Sequence, residues 1–161
     1  MHNQTAILQP PEASYKLALR RLNRSAMTCQ QMREYLLKRD VESVDVERVI
    51  EYLIACGFLN DYSYAESYIR SAREYKRVGP QYLRMQLKKR GIPSFIIEEL
   101  VHDQSDDFNR AMLLAQKKLK STQTLDSQKR WLRITGYLAR KGHNSATIMQ
   151  VMGELRRIES E

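Results

Sequence analysis

From Tyr15 onward, apolar residues recur every three or four positions, which is the period of a helix with one buried face, and strand-like alternation is hard to find. The stretch VGPQYLRMQLKKRGIPS, residues 78–94, shows the pattern at its plainest. Pro80 suits the first helical position and Gly91 the residue just past the end. Between them Leu83 and Leu87 share one face while Arg84 and Lys88 share another. Stepping 51 residues either way reproduces the stretch without gaps. Leu83 meets Met32 and Ile134, and Leu87 meets Leu36 and Leu138. Arg90 meets Arg39 and Lys141, Gly91 meets Asp40 and Gly142, and Ser94 meets Ser43 and Ser145. Further on, Ile97, Leu100 and Val101 meet Val46, Val49 and Ile50 on one side and Ile148, Val151 and Met152 on the other.

Each copy is a helix–turn–helix. The first helix closes on a basic residue, and Gly or Asp follows where left-handed dihedrals are needed. A serine is expected to cap the helix after that. A further helix precedes each copy: Tyr15–Asn23, Asp61–Arg77 with Ala65, Tyr68, Ile69, Ala72 and Tyr75 facing inward, and one opening near Asp106 with Ala111, Leu114 and Ala115. In the third copy that helix sits at a shorter offset, and the loop KSTQTLDS recovers the register. Thr28 and Gln31 have the spacing of a capping box. The fold class is therefore all-α: three tandem three-helix (helix–turn–helix-like) repeats over 15–59, 60–103 and 104–161, after a flexible tail over 1–14. Units this small bury little apolar surface alone, so neighbours are expected to stack into an elongated, curved arrangement.

Charge adds a direction. The 161 residues carry 27 basic and 19 acidic side chains, a net charge of +8, which favours an anionic partner. Basic residues gather on the first two helices of each repeat and acids on the third. Helix-dipole complementarity accounts for Arg39, Arg90 and Asp45. It does not account for mid-helix Arg84, Arg130 and Arg133, and a positive stripe along the repeats does.

Motifs for catalysis are missing: no Gly-rich phosphate loop, no paired-His metal motif and no nucleophile–base spacing. His2 lies in the tail, His102 near a helix end, and His143 at the link position matched by Val41 and Ile92, where packing or capping is the ordinary role. Asp106 and Asp107, at the end of DQSDD, read as helix-opening acids like Asn60 and Asp61. The tyrosines between 62 and 82 read mainly as core. Cys29 and Cys56 have neither metal nor disulfide spacing and are expected to be packed, reduced thiols. No segment is apolar enough to span a bilayer, and the start has no leader pattern. The expectation is a cytoplasmic protein that is no enzyme and takes no cofactor or metal.

The segment GFLNDYSYAESYIRSAREYKRVGPQYLRMQLKKRGI, residues 57–92, resembles the signature of the RecX family of bacterial recombination regulators. The resemblance lies in Phe58-Leu59-Asn60-Asp61, Arg73, the Gly79-Pro80 opening, and Leu83 and Leu87 through Gly91 and Ile92. Asn60 stands where Asp is usual and can still cap. The resemblance implies three three-helix repeats and a protein that binds in the groove of the RecA–single-stranded DNA filament. There it would block extension and lower ATPase, strand-exchange and co-protease activity. The expected partners are RecA and the single-stranded DNA within the filament, with weak direct DNA binding and a monomeric chain. Candidate contacts are Arg73, Lys76, Arg77, Arg84, Lys88, Lys89 and Arg90, then Arg130, Arg133, Arg140 and Lys141. The alternative is a stand-alone nucleic-acid-binding helical module that competes for DNA.

Overall fold

A computed structural model describes residues 9–102 and 106–160. Those residues form α1 (Glu12–Leu22), α2 (Cys29–Leu37), α3 (Ser43–Ala55), α4 (Asp61–Lys76), α5 (Pro80–Lys89), α6 (Ser94–Leu100), α7 (Asp106–Lys120), α8 (Ser127–Arg140) and α9 (Ser145–Ser160). No strand occurs among them. Helix α1 opens ahead of Tyr15, behind Pro11, and residues 1–8 of the expected tail, His2 included, lie outside the described residues, as do 103–105 of DQSDD.

The chain divides into two compact units, Met1–Ala65 with Lys88–Ile96, and Glu66–Leu87 with Ile97–Glu161. In the first, Ala18 of α1, Met32 and Leu36 of α2, and Val46, Val49, Ile50 and Leu53 of α3 form a core closed by Leu59. In the second, the same repeat positions recur: Ala115 of α7, Ile134 and Leu138 of α8, and Ile148, Val151, Met152 and Leu155 of α9. Leu83 and Leu87 of α5 are likewise fully buried. The matched apolar positions are thus the cores, except for half-buried Leu100, and truncating a buried leucine among them to alanine costs about 2–5 kcal/mol.

The helix ends follow the expected chemistry with one shift. Asp40, Gly91 and Gly142 all have positive φ, at 60°, 76° and 82°. After α2 the Val41 N–H reaches Leu36 O (3.3 Å) and Asp40 N–H reaches Leu37 O (3.1 Å). After α8 His143 N–H reaches Leu138 O (3.2 Å) and Gly142 N–H reaches Ala139 O (2.9 Å), the same pair of closing bonds. The Thr28–Gln31 capping box is present in both directions. The repeated serine is not the cap, however. Ser43, Ser94 and Ser145 are first helical residues, so the cap position falls one residue earlier, on Glu42, Pro93 and Asn144. Asn144 Oδ1 accepts the Thr147 N–H at 2.7 Å, while Glu42 makes no side-chain cap bond.

Three side chains depart from their expected burial. Tyr75 is 74% exposed and Tyr68 half-buried, so the inward face of α4 consists of Ala65, Ile69 and Ala72. Cys56 is exposed, because it lies beyond the last buried turn of α3, whereas Cys29 is half-buried; both are free thiols.

Candidate interaction surface

The signature residues of 57–92 turn out to be helix-joining devices. In the turn before α4, Phe58 is exposed and Leu59 buried. Asn60 Oδ1 accepts the Ser63 N–H at 3.0 Å and so caps α4. Asp61 instead reaches the start of α2, where its Oδ1 accepts the Cys29 N–H at 2.8 Å. At the same helix start, buried Thr28 donates its hydroxyl proton to the carbonyl of Arg90 at 2.6 Å, and Gly91 sits against Gln30, where a Cβ would lie 2.5 Å from Gln30 Cγ. The end of α5 therefore rests on the start of α2.

The arrangement recurs in the second unit. Gly79 donates its N–H to Lys141 O at 2.8 Å and Gln81 to Gly142 O at 3.0 Å, so the end of α8 rests on the start of α5. Orphan carbonyls of one helix end meet orphan N–H groups of another helix start, and the dipoles are aligned favourably. A Cβ at Gly79 would lie 2.5 Å from the Gly142 carbonyl carbon and from His143 N, which explains the glycine before Pro80. Ile92, just past Gly91, is buried.

A buried polar link stands beside this junction. His143, 2% exposed, donates from Nδ1 to Asp107 Oδ1 (3.0 Å), and its Nε2 faces the Arg77 carbonyl (3.1 Å). Asp107 also accepts from Arg110 Nη2 at 3.3 Å. Burial alone would raise the Asp107 carboxyl; the His143 hydrogen bond and charge, then Arg110, outweigh it and hold it below the usual carboxylate value. Arg77, just past the end of α4, has φ 51° and so turns the chain left-handed there. Histidine in the link is thus structural, and Asp107 is more than a helix-opening acid.

The basic candidates fall into three groups. Arg84 donates from Nη2 to Val101 O at 2.9 Å, tying α5 to the end of α6, and Arg130 pairs with Glu159 at 3.1 Å. Arg73 lies half-buried in a groove of about 520 Å³ lined also by Glu66, Ile69, Arg70, Leu100 and Arg110. Burial first, then the charge of Arg110, pushes its guanidinium below the ordinary value. Arg84 and Arg130 thus make contacts within the fold. Lys76, Arg77 and Lys141 are brought together at the α4–α5 link, where Lys141 Nζ approaches Lys76 O at 3.5 Å. Lys88, Lys89, Arg133 and Arg140 are exposed, and Arg90 is half-buried. Among the described residues there is no cluster of metal-ligating side chains and no helix long and apolar enough to cross a membrane.

Family models for the first, second and third three-helix domains of RecX match residues 15–53, 60–101 and 105–152. The chain belongs to the RecX family. Regulatory protein RecX of Streptomyces coelicolor (strain ATCC BAA-471 / A3(2) / M145) is 28% identical over 154 residues, covering 94% of this chain and 82% of that protein. Regulatory protein RecX of Trichlorobacter lovleyi is 28% identical over 145 residues, covering 88% and 94%. The crystal structure of RecX from Lactobacillus salivarius superposes with a TM-score of 0.81 at 25% identity, over 89% of this chain and 95% of that one. All-helical tandem three-helix domains are therefore the RecX architecture seen here, and the family is one of regulatory proteins.

Sequence reasoning missed a set of residues that the folding brings together: Arg21, Tyr35, Lys38 and Tyr64 beside Arg90, and Lys117, Lys118 and Lys120 beside Tyr137. The 51-residue offset contained the signal, since it superposes Tyr35 and Arg39 on Tyr137 and Lys141.

Proposed function

We propose that this RecX protein regulates the RecA recombinase, mainly as an inhibitor. It binds in the groove of the RecA–single-stranded DNA filament as a cytoplasmic monomer and blocks extension, lowering ATPase, strand-exchange and co-protease activity. Membership of a family of regulatory proteins, carried by three consecutive domain matches, is the observation that supports this reading. The repeats over 15–59, 60–103 and 104–161 present the basic residues. Of the candidates, Lys76, Arg77, Lys88, Lys89, Arg90, Arg133, Arg140 and Lys141 make the contacts. Arg84 and Arg130 also tie together the helices that carry them, and Arg73 lines a groove of its own.

The test is single-stranded-DNA-dependent ATP hydrolysis by the host RecA, with the protein titrated from far below stoichiometry. Progressive loss of hydrolysis at low ratios supports a filament regulator, because stopping growth at few sites affects a whole filament. Loss only when the protein is abundant enough to coat the DNA refutes it in favour of competition for DNA. Lys88→Ala with Lys89→Ala, and Arg133→Ala with Arg140→Ala, each weaken inhibition if the contacts are placed correctly, and unchanged inhibition by both pairs retires that placement.

A further inference from the structure

The first and third repeats each hold a tyrosine within cation–π distance of two cations, and that tyrosine and one of the cations line an open groove. In the first repeat, the Arg21 and Arg39 guanidinium groups lie 5.7 and 4.4 Å from the centroid of Tyr35. In the third, the Lys118 and Lys141 ammonium groups lie 5.5 and 5.7 Å from the centroid of Tyr137. The two sets occupy equivalent positions. Tyr35 and Arg39 step onto Tyr137 and Lys141 at twice the repeat offset, and Arg21 and Lys118 each follow a fully buried alanine, Ala18 or Ala115, by one helical turn. Tyr35 lines a groove of about 420 Å³ with Arg21, Lys38, Tyr64 and Arg90; Tyr137 lines one of about 510 Å³ with Leu114, Lys117, Lys118 and Lys120. The middle repeat has Ala72 and Gln86 where these have Arg21 and Tyr35, so it lacks the first cation and the ring and keeps only the second cation, as Arg90.

We propose that each of these two grooves holds one nucleotide of an unpaired nucleic-acid strand, with the base against Tyr35 or Tyr137 and the phosphate on the flanking cations. Both volumes fall within the range of small-molecule sites, about 300–1,000 Å³. The chemistry favours a nucleotide over an acidic peptide. A planar base can take the ring face from one cation, and the released cation then meets the phosphate beside it. A carboxylate would gain the cation but confront the negative face of the ring. A paired strand is excluded because its bases are already stacked. One acid, Glu34, lines the first groove, where Gln30 Nε2 donates to it at 3.0 Å; no acid lines the second. The proposal rests on the regulator reading for its partner, since the filament is where an unpaired strand is presented.

The experiment uses the full chain without RecA. A short oligothymidylate containing 5-iododeoxyuridine is irradiated with the native protein and the adducts are mapped by mass spectrometry. Adducts in the peptides bearing Tyr35 and Tyr137 are expected, and adducts confined to other peptides overturn the proposal. In fluorescence anisotropy at low salt, Tyr35→Ser with Tyr137→Ser should weaken binding about 5- to 100-fold per tyrosine, and the Phe pair, which keeps the rings, should restore it. Because both tyrosines pack against core residues, Arg21→Ala with Lys118→Ala provides a surface variant and should flatten the salt dependence by about 0.7 per lost phosphate contact. Unchanged affinity in that variant, or poly-glutamate displacing the oligonucleotide at equal charge, counts against a nucleotide site. RecA hydrolysis is scored separately. Inhibition without adducts at either tyrosine removes the grooves and leaves the regulator; adducts without inhibition do the reverse.

Discussion

Gly142→Ala tests the junction between α8 and α5 most directly. Two costs add there. The residue has φ 82°, and a left-handed conformation costs an L-residue about 1–2 kcal/mol. The new Cβ would also overlap Tyr82 N and lie 2.5 Å from Tyr82 Cβ and 2.8 Å from Tyr82 Cα, so backbone must move. Movement strains or breaks Gly79 N–H to Lys141 O and Gln81 N–H to Gly142 O, each worth about 0.5–1.5 kcal/mol net. The total is about 2–5 kcal/mol. Gly57→Ala is the matched control: φ is 75°, but a Cβ there meets nothing within 4 Å, so only the backbone cost of about 1–2 kcal/mol remains. Urea denaturation followed by the fluorescence of Trp131, the single tryptophan and a residue of α8, reports on the unit that holds Gly142. Far-UV circular dichroism follows the helices as a whole. The expected result is a much lower Trp131 midpoint for Gly142→Ala and, by circular dichroism, only a small shift for Gly57→Ala, which lies in the other unit. Equal destabilisation by the two variants would show that the junction bonds contribute nothing beyond backbone conformation.

The buried link predicts an acid dependence. The Asp107 carboxyl is held below its ordinary 3.8, so its contribution is full above that value and is lost as pH falls through the lower folded value; Asp107→Asn should flatten the decline in thermal midpoint below pH 3.8. The two thiols should differ in reactivity towards a disulfide reagent near neutral pH. Burial first, then the charge of Asp61, pushes Cys29 up to about 11, whereas Cys56 is exposed; Cys56 should react first, and Asp61→Asn should speed Cys29. Equal rates in the parent chain would contradict that placement. Gly91→Asp puts a side chain against Gln30 at the docked end of α5 and should cost several-fold more in urea than Asp40→Gly at the exposed, matched end of α2, which should shift stability by less than about 1 kcal/mol.

The cores and helix ends were legible because both are local. A period of 3.6 and one offset were enough to name Met32, Leu83 and Ile134 as equivalent buried positions, and Gly91 and Gly142 as left-handed ones. Thr28 was readable as a cap for the same reason. Its second bond, to Arg90, joins residues 62 apart in sequence, and no periodicity encodes it. Ser145 failed as a cap because Asn144 before it is an equally good capping type, and only the backbone decides which one precedes the first helical residue. Tyr75 failed because the inward stripe of α4 is narrower than a full helix face near its end. The basic candidates were chosen from mid-helix charge, and charge alone does not reveal that Arg84 is spent on Val101 or Arg130 on Glu159. Cation–tyrosine pairs on separate helices needed the fold, although half of each set was visible at i and i+4 across the ends of α2 and α8.

Differences between equivalent positions carry as much information as the matches. Where a helix end docks on another helix start, the left-handed residue is glycine: Gly91 against Gln30, and Gly142 against Tyr82. Asp40, which ends α2 in the same conformation, is exposed and keeps its side chain. At the starts, Cys29 supplies an N–H and Asp61 accepts it. Its counterpart Pro80 has no N–H to give, and Asp107, at the position matching Asp61, is bonded by His143 instead. The same acid thus serves two different partners, because one residue of the helix start changed from a donor to a proline. A repeat is copied by its apolar periodicity, but how each copy joins another depends on these few substitutions. That is why the signature of the middle repeat, Leu-Asn-Asp, Gly-Pro and Arg-Gly-Ile, consists largely of residues that make joints.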